Sequence, residues 1–170
     1  NAFLNFFIVW RGKLEYLSVD GEECIDIDTQ FFPYDLCSYE KCRKVTEDID
    51  VVIHLADIVS GINFVFENQL FLFRKNIVIN SNMLDAAVMS GVERYLYVGT
   101  ACSYPAEKQA VLHSLPLKEE DAYPANPESA YGWSKLMGEY ECELAQKESA
   151  IKTGIIRLHN VYGPPCELSP

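Results

Sequence analysis

No segment of this 170-residue sequence offers the roughly 20 consecutive apolar residues a membrane-crossing helix needs. The apolar N-terminal stretch Ala2–Trp10 is too short, and it has neither a basic flank nor a cleavage site. Positive charge is scarce as well: 14 Lys and Arg stand against 25 Asp and Glu, a formal net charge of −11. Basic residues never run more than two together. That excludes nucleic acid and anionic membrane surfaces as partners, because both are held through basic patches. The cysteines at 24, 37, 42, 102, 142 and 166 form no CxxC and no Cys/His group with metal-ligand spacing. No metal is expected, and reduced thiols in a cytoplasmic protein are the simplest reading. An acidic surface still leaves room for an anionic ligand, since backbone N–H groups hold phosphate without net charge.

What is present is apolar material for a core, at 49% of residues, arranged in alternating strand-like and helix-like patterns. Lys13–Asp20 reads as a strand ending in an acid, and Gln30–Pro33 as a short second one. Ser38 reads as the N-cap of a helix reaching about Glu47. Val51 to Leu55 is a continuous apolar run, as expected of a strand buried on both faces. A long helix is predicted from Phe64 to Met89, with a break near Asn68–Arg74 and a stripe of Ile77, Asn80, Met83, Leu84 and Ala87; Gly91 ends it. Tyr95–Val98 is the next strand, Ala101–Pro127 a loop, Ser129–Lys147 a helix and Thr153–Leu158 the last strand. In that helix Trp133, Leu136, Met137, Tyr140 and Leu144 fall on one stripe, predicted to face the core. The fold class is α/β, a doubly wound parallel sheet.

Three pieces bear on chemistry. Thr100-Ala101-Cys102-Ser103-Tyr104-Pro105 lies at the C-terminal end of a predicted strand, where open α/β sheets bind ligands. Tyr131 and Lys135 form a YxxxK at the start of a helix, i and i+4 on one face, expected opposite the core stripe. Arg157 to Pro164 is a strand running into a turn that contains His159 and Asn160. A YxxxK alone is a weak signal; the three in this order are not.

Together these residues resemble the extended short-chain dehydrogenase/reductase superfamily, the NAD-dependent epimerases and dehydratases, over roughly Asp35 to Pro164. Within it, the Cys two positions after Thr100, followed by Tyr-Pro and then Lys108-Gln109, resembles the GDP-mannose 3,5-epimerase branch. The GDP-fucose synthase branch has a similar stretch with one more residue before its Lys-Gln. The resemblance implies an incomplete Rossmann-like domain over residues 1–170 that binds NAD, with NADP as the alternative. It also implies a GDP-linked nucleotide-sugar substrate and a homodimer for the complete protein. Its catalytic residues would be Thr100, Cys102, Tyr131 and Lys135. Asp20, Asp35, Leu36, Leu55, Ala56 and Asn76 would join Tyr131 and Lys135 around the cofactor. Gly61, Ile62, Asn63, Lys108, Gln109, His159 and Asn160 would meet the substrate.

The implied mechanism has Tyr131 take the proton of a sugar hydroxyl while hydride leaves the carbon, Thr100 orienting the oxygen. A free phenol has a pKa of roughly 10, and Lys135 as a near cation is expected to lower it. Cys102 would exchange a proton next to the resulting ketone. The other cysteines read as packing or surface residues, and His54 and His113 are given no catalytic role. The sequence departs from the family in lacking any glycine-rich phosphate turn. Two readings stand open: Ala2–Trp10 is the end of a first helix and Lys13–Asp20 the second strand, the favoured one because that strand ends in an acid; or Phe3–Trp10 is the first strand itself and the turn is altered. The ends look cut, and the expectation is part of a larger enzyme, with the interaction-only module as the reading of a different class.

Overall fold

The computed structural model describes residues 8–10, 32–110, 116–159 and 161. In chain order its elements are β1 (Ile8–Trp10), α1 (Tyr39–Thr46), β2 (Val51–His54), α2 (Ile62–Glu67) and α3 (Gln69–Ser90). They continue with β3 (Arg94–Thr100), α4 (Ala106–Gln109), α5 (Ala130–Glu148) and β4 (Lys152–Leu158), and two short 3-10 turns at Ala101–Ser103 and Glu119–Ala122. The sheet runs β1-β2-β3-β4. Strands β2, β3 and β4 are parallel, in the register Val51↔Arg94 and Arg94↔Lys152. Parallel neighbours need long crossovers, and α3 and α5 supply them.

β1 corrects the favoured reading of the N-terminal stretch. Ile8–Trp10 is not a helix end but an edge strand, paired antiparallel to β2 with Ile8 opposite Ile53 and Trp10 opposite Val51. Two β-branched residues and a tryptophan favour extended backbone beside an open strand edge. The sequences read as strands at Lys13–Asp20 and Gln30–Phe31 lie outside the described residues, as do Asp20, Cys24, His113, Asn160 and Cys166. Phe32 and Pro33 belong to no strand.

Helix limits follow local chemistry closely. Asn68 separates α2 from α3: its backbone N–H and its side-chain amide both donate to Phe64 O at 3.0 Å. Gly91 closes α3 in the left-handed region at φ +75°, its N–H reaching the Ala87 and Val88 carbonyls, a conformation open to glycine without a side-chain penalty. Ser129 caps α5, its Oγ accepting from Gly132 N at 3.2 Å. Ser38 stands at the N-cap of α1 but makes no side-chain cap bond.

The core gathers Val52, Tyr95 and Tyr97 from the sheet with Leu72, Ile79 and Met83 from α3, all essentially without solvent contact. Each such apolar side chain contributes about 1.5–3 kcal/mol when fully buried. Asn80 on α3 and Gly138 on α5 both meet the Tyr97 hydroxyl, so the two helices share one face of the sheet. The second layer of helices expected of a doubly wound sheet is not among the described residues. On the far face Ile156 and Leu158 remain exposed.

α5 presents a different face from the one its bulky residues suggest. Its buried residues are Gly132, Ser134, Lys135, Leu136, Gly138, Glu139 and Cys142. Tyr140 is exposed, and Trp133, Met137 and Leu144 are only partly covered. The reason is close approach. A Cβ on Gly138 would overlap the Tyr97 hydroxyl, and one on Gly132 the Cys102 carbonyl oxygen. The small residues therefore face the sheet, and Tyr131 and Lys135 flank that buried face instead of standing opposite it.

Candidate active site

The site forms where β3 ends. Thr100, half-buried, accepts a hydrogen bond from Cys102 N at 3.2 Å, which closes the 3-10 turn and leaves the Cys102 thiol exposed. Gly132 lets that turn pack directly against the first turn of α5. Tyr131, next to Gly132, is thereby brought near Thr100, whose side chain acts on the phenol in favour of its ionised form. Tyr131, some thirty residues further along the chain, thus shares the strand end with Thr100 and Cys102. Cys37, Cys42, Cys102 and Cys142 are free thiols. Burial pushes the Cys42 and Cys142 thiols up to about 12, which suits packing and not reaction.

The Tyr131 phenol is shifted the opposite way from the expectation. Burial pushes its pKa well above the ordinary value, the Asp57 carboxylate and Cys102 add to the rise, and only the Thr100 side chain opposes it. Lys135 does not offset this, because its ammonium points elsewhere. Nζ donates to Val98 O at 2.7 Å and lies 3.0 Å from Asp57 Oδ2. It also stands 5.1 Å from the centre of the Tyr97 ring. Asp57 was missing from the sequence reading. The available signal was an acid two residues past the apolar run Val51–Leu55, at the ligand-binding end of a strand. Its burial raises the Asp57 carboxyl above the usual range, with Lys135 pulling it down.

Several residues assigned to the cofactor or the substrate have other work. Asn76 is fully buried, with both ends of its amide on one residue: Oδ1 accepts from Ile58 N at 2.8 Å and Nδ2 donates to Ile58 O at 3.1 Å. It sets the loop after β2. Leu36 lies in the core, its carbonyl accepting from Asn82 Nδ2 at 3.1 Å. Asp35 is exposed and folds back on Cys37 N at 2.9 Å. Lys108 pairs with Asp121 at 2.6 Å, and Gln109 donates to Tyr104 O at 3.0 Å, so both hold the loop after β3 together. Leu55, Gly61, Ile62 and Asn63 are exposed at the strand-end surface, whereas Ala56 is buried beneath it. The His159 ring lies 5.9 Å from that of Tyr104.

A second unpredicted pair anchors the same loop. Arg157 on β4 grips Glu139 on α5 and reaches the Tyr104 hydroxyl at 3.2 Å and Glu119 O at 2.7 Å. Among the described residues no group of three His, Cys, Asp or Glu is placed to hold a metal. No described helix is long and apolar enough to cross a membrane. What the site offers is a hydroxyl pair and a thiol at an open strand end: groups that orient an alcohol and move its proton.

Residues 12–169 match the model of the NAD dependent epimerase/dehydratase family. GDP-mannose 3,5-epimerase of Arabidopsis thaliana is 41% identical over 135 residues, 79% of this chain and 36% of that protein. GDP-L-fucose synthase of Sinorhizobium fredii is 27% identical over 158 residues, 90% of this chain and 49% of that one. Among solved structures, UDP-glucose 4-epimerase of Thermus thermophilus in complex with NAD superposes with a TM-score of 0.69 at 24% identity, over 83% of this chain and 44% of that chain. A short-chain dehydrogenase/reductase superfamily protein of Agrobacterium tumefaciens with bound NAD gives 0.61 at 28%, over 72% and 35%. The fold is therefore Rossmann-like, and the chain spans about a third to a half of the length of these relatives.

Proposed function

For a chain that belongs to the NAD dependent epimerase/dehydratase family, we propose that residues 32–159 carry the alcohol-oxidising side of a nucleotide-sugar epimerase site, working on a GDP-linked hexose with NAD. The observation that carries this reading is the meeting of Thr100 and Tyr131 at one strand end beside the exposed Cys102 thiol. The GDP-linked sugar rests on the likeness to GDP-mannose 3,5-epimerases.

The residues present fit a dinucleotide across the C-terminal end of β2. Leu55, Val59 and Ile62 are exposed there, and no atom lies within 4 Å of where a Cβ on Gly61 would stand. NAD, when bound, supplies the two-electron step by accepting the carbon-bound hydrogen of the sugar alcohol and later returning it. Thr100 Oγ1 orients the reacting oxygen, and Tyr131 takes its proton as the carbonyl forms. The ketone acidifies the neighbouring C–H bonds, and Cys102, open to solvent, takes or returns a proton there. Tyr131 is held as a neutral phenol, so it becomes a base only when a cation is brought to it. Lys135, one turn further along the same helix, is that cation. In the complete protein these residues act within a homodimer.

The test is a titration of NAD and NADPH into the chain, and into any longer product of its gene, followed by incubation with GDP-mannose in deuterated water. NAD binding with deuterium entering the sugar beside the oxidised carbon is the expected result. Consumption of NADPH in step with a 4-keto sugar would instead assign the reductase-epimerase chemistry. No binding of either dinucleotide by the longest product overturns the catalytic reading. A second reading, an interaction module without turnover, is favoured by one observation: the Asp57 carboxylate engages Lys135. Turnover that survives Tyr131→Phe would favour that module.

A further inference from the structure

Lys135 and Asp57 are 78 residues apart and meet inside the protein, their side chains 4% and 2% exposed. An ammonium has three N–H donors. One is directed to Val98 O at 2.7 Å, the Asp57 carboxylate stands at 3.0 Å, and the Tyr97 ring face covers a further side. Asp57 is itself fixed. Its Oδ1 accepts from Ile58 N at 3.1 Å, and Ile58 is clamped on both backbone groups by Asn76. Asp57 Oδ2 has no aligned hydrogen bond among the described residues. Its partner is Lys135, in an ion pair at 3.0 Å.

We infer that Asp57 is a positioning residue of this site: its carboxylate holds the Lys135 ammonium against β3, and Tyr131 gains a cationic neighbour only when Lys135 leaves Asp57. The inference rests on the reading of Tyr131 and Lys135 given above and adds the control of their charge. The charged and titratable groups facing Asp57 are Lys135 and Tyr131 from α5 and Tyr97 from β3. Lys135 is the one cation among them. Removing the carboxylate leaves a buried charge that must find a new partner, and the Tyr131 hydroxyl lies one helical turn back on the same face. The loss of a nearby anion and the approach of a cation act on the phenol in the same direction, toward the phenolate. The site is therefore held inactive by an internal counter-ion, and a ligand that takes over the carboxylate releases Lys135.

The experiment follows the ultraviolet absorbance of tyrosinate against pH in the chain itself, with Tyr131→Phe subtracted so that the Tyr131 phenol is read alone. In Asp57→Asn and in Asp57→Ser, which leaves room for water at the ammonium, the Tyr131 ionisation constant rises by about 10-fold or more. Asp57→Glu restores the charge and brings the titration back toward the parent's. An unchanged Tyr131 titration in Asn and Ser variants that fold overturns the inference. A wild-type measurement stands beside these variants: in carbon-detected NMR, the Tyr131 ring resonance shifts in the same pH step as the Asp57 carboxyl carbon. Independent steps also overturn it. None of these readouts involves a dinucleotide, so failure here is separate from failure of the NAD titration.

Discussion

Arg157 holds Glu139 through a forked pair of bonds, Nε to Oε2 at 2.9 Å and Nη2 to Oε2 at 2.7 Å, with Nε also 3.1 Å from Oε1. Glu139 comes from the middle of α5 and Arg157 from β4, so the pair locks helix to sheet just below the Thr100 strand end. Gly99 makes the room: a Cβ there would stand 2.6 Å from Glu139 Oε1. Arg157 also holds Tyr104 and the Glu119 carbonyl, which flank residues 105–118 of the segment after β3.

Removing one partner is therefore worse than removing both. Arg157→Met leaves a carboxylate with almost no solvent contact, and breaking such a pair costs about 3–5 kcal/mol. Arg157→Lys keeps the charge but not the fork, and recovers only part of that. The double variant Arg157→Met/Glu139→Leu is expected to unfold at a higher urea concentration than Arg157→Met alone. Equal or lower midpoints for the double variant would show that the pair is not the anchor.

Two neighbouring tyrosines of β3 separate in the same way. The Tyr95 hydroxyl is buried and has no hydrogen-bond partner among the described residues, whereas the Tyr97 hydroxyl accepts from Asn80 Nδ2 at 3.0 Å. An unmade bond costs about 1–3 kcal/mol for a buried polar group. Tyr95→Phe is expected to stabilise the protein by about 1 kcal/mol, and Tyr97→Phe to destabilise it by a similar amount by stranding the Asn80 amide. Thermal midpoints of the two variants moving in the same direction would refute this.

Gly132 decides the position of Cys102. Alanine is the better helix former by about 1 kcal/mol, yet a Cβ at 132 overlaps the Cys102 carbonyl oxygen and meets Pro127 Cβ at 3.0 Å. The clash is with backbone that cannot yield without moving the 3-10 turn. Gly132→Ala is expected to lose stability despite its propensity, and to change the rate at which the Cys102 thiol reacts with a maleimide. A stable variant with parent-like labelling would mean that the turn is free to shift.

How far such contacts could be read in advance depended on their range. The apolar run at Val51, the Gly91 stop and the Ser129 cap are local, and α1, β2, α3, β3, α5 and β4 stand within a few residues of where they were expected. The meeting of Thr100 with Tyr131 was legible because both belong to recognisable motifs. What failed was tertiary. The face of α5 was assigned to its largest residues, while Gly132 and Gly138 faced the sheet because backbone and ring needed the space. The Asp57–Lys135 and Arg157–Glu139 pairs exist only once three elements are packed. Nor could the sequence show the protein partners of Asn76 and Lys108, which are Ile58 and Asp121.

His54 gives the fold a pH dependence whose sign can be worked out. Its ring is fully buried, Nε2 lies 2.8 Å from Asn80 Oδ1, and Asn80 donates onward to Tyr97, so the neutral ring carries its proton on Nε2 and Nδ1 has no partner among the described residues. Burial, with Lys135 adding to it against the hydrogen bond to Asn80, lowers its pKa to about 4. In the unfolded chain the same group titrates near its ordinary value of about 6.5. Above that value both states are neutral and the full stability is present. As pH falls below it the unfolded chain takes up a proton that the folded protein refuses, so stability declines until about pH 4, by up to about 3 kcal/mol. Asp57, with its carboxyl raised, acts in the opposite sense over the acid part of this window, so the wild-type curve alone does not isolate His54. His54→Gln keeps a donor for Asn80 and removes the titration, and subtracting its urea-unfolding free energies from those of the wild type cancels Asp57. The difference should grow as pH falls from 6.5 to 4 and level off below; curves that stay parallel through that window would show that His54 is not protonated differently in the two states.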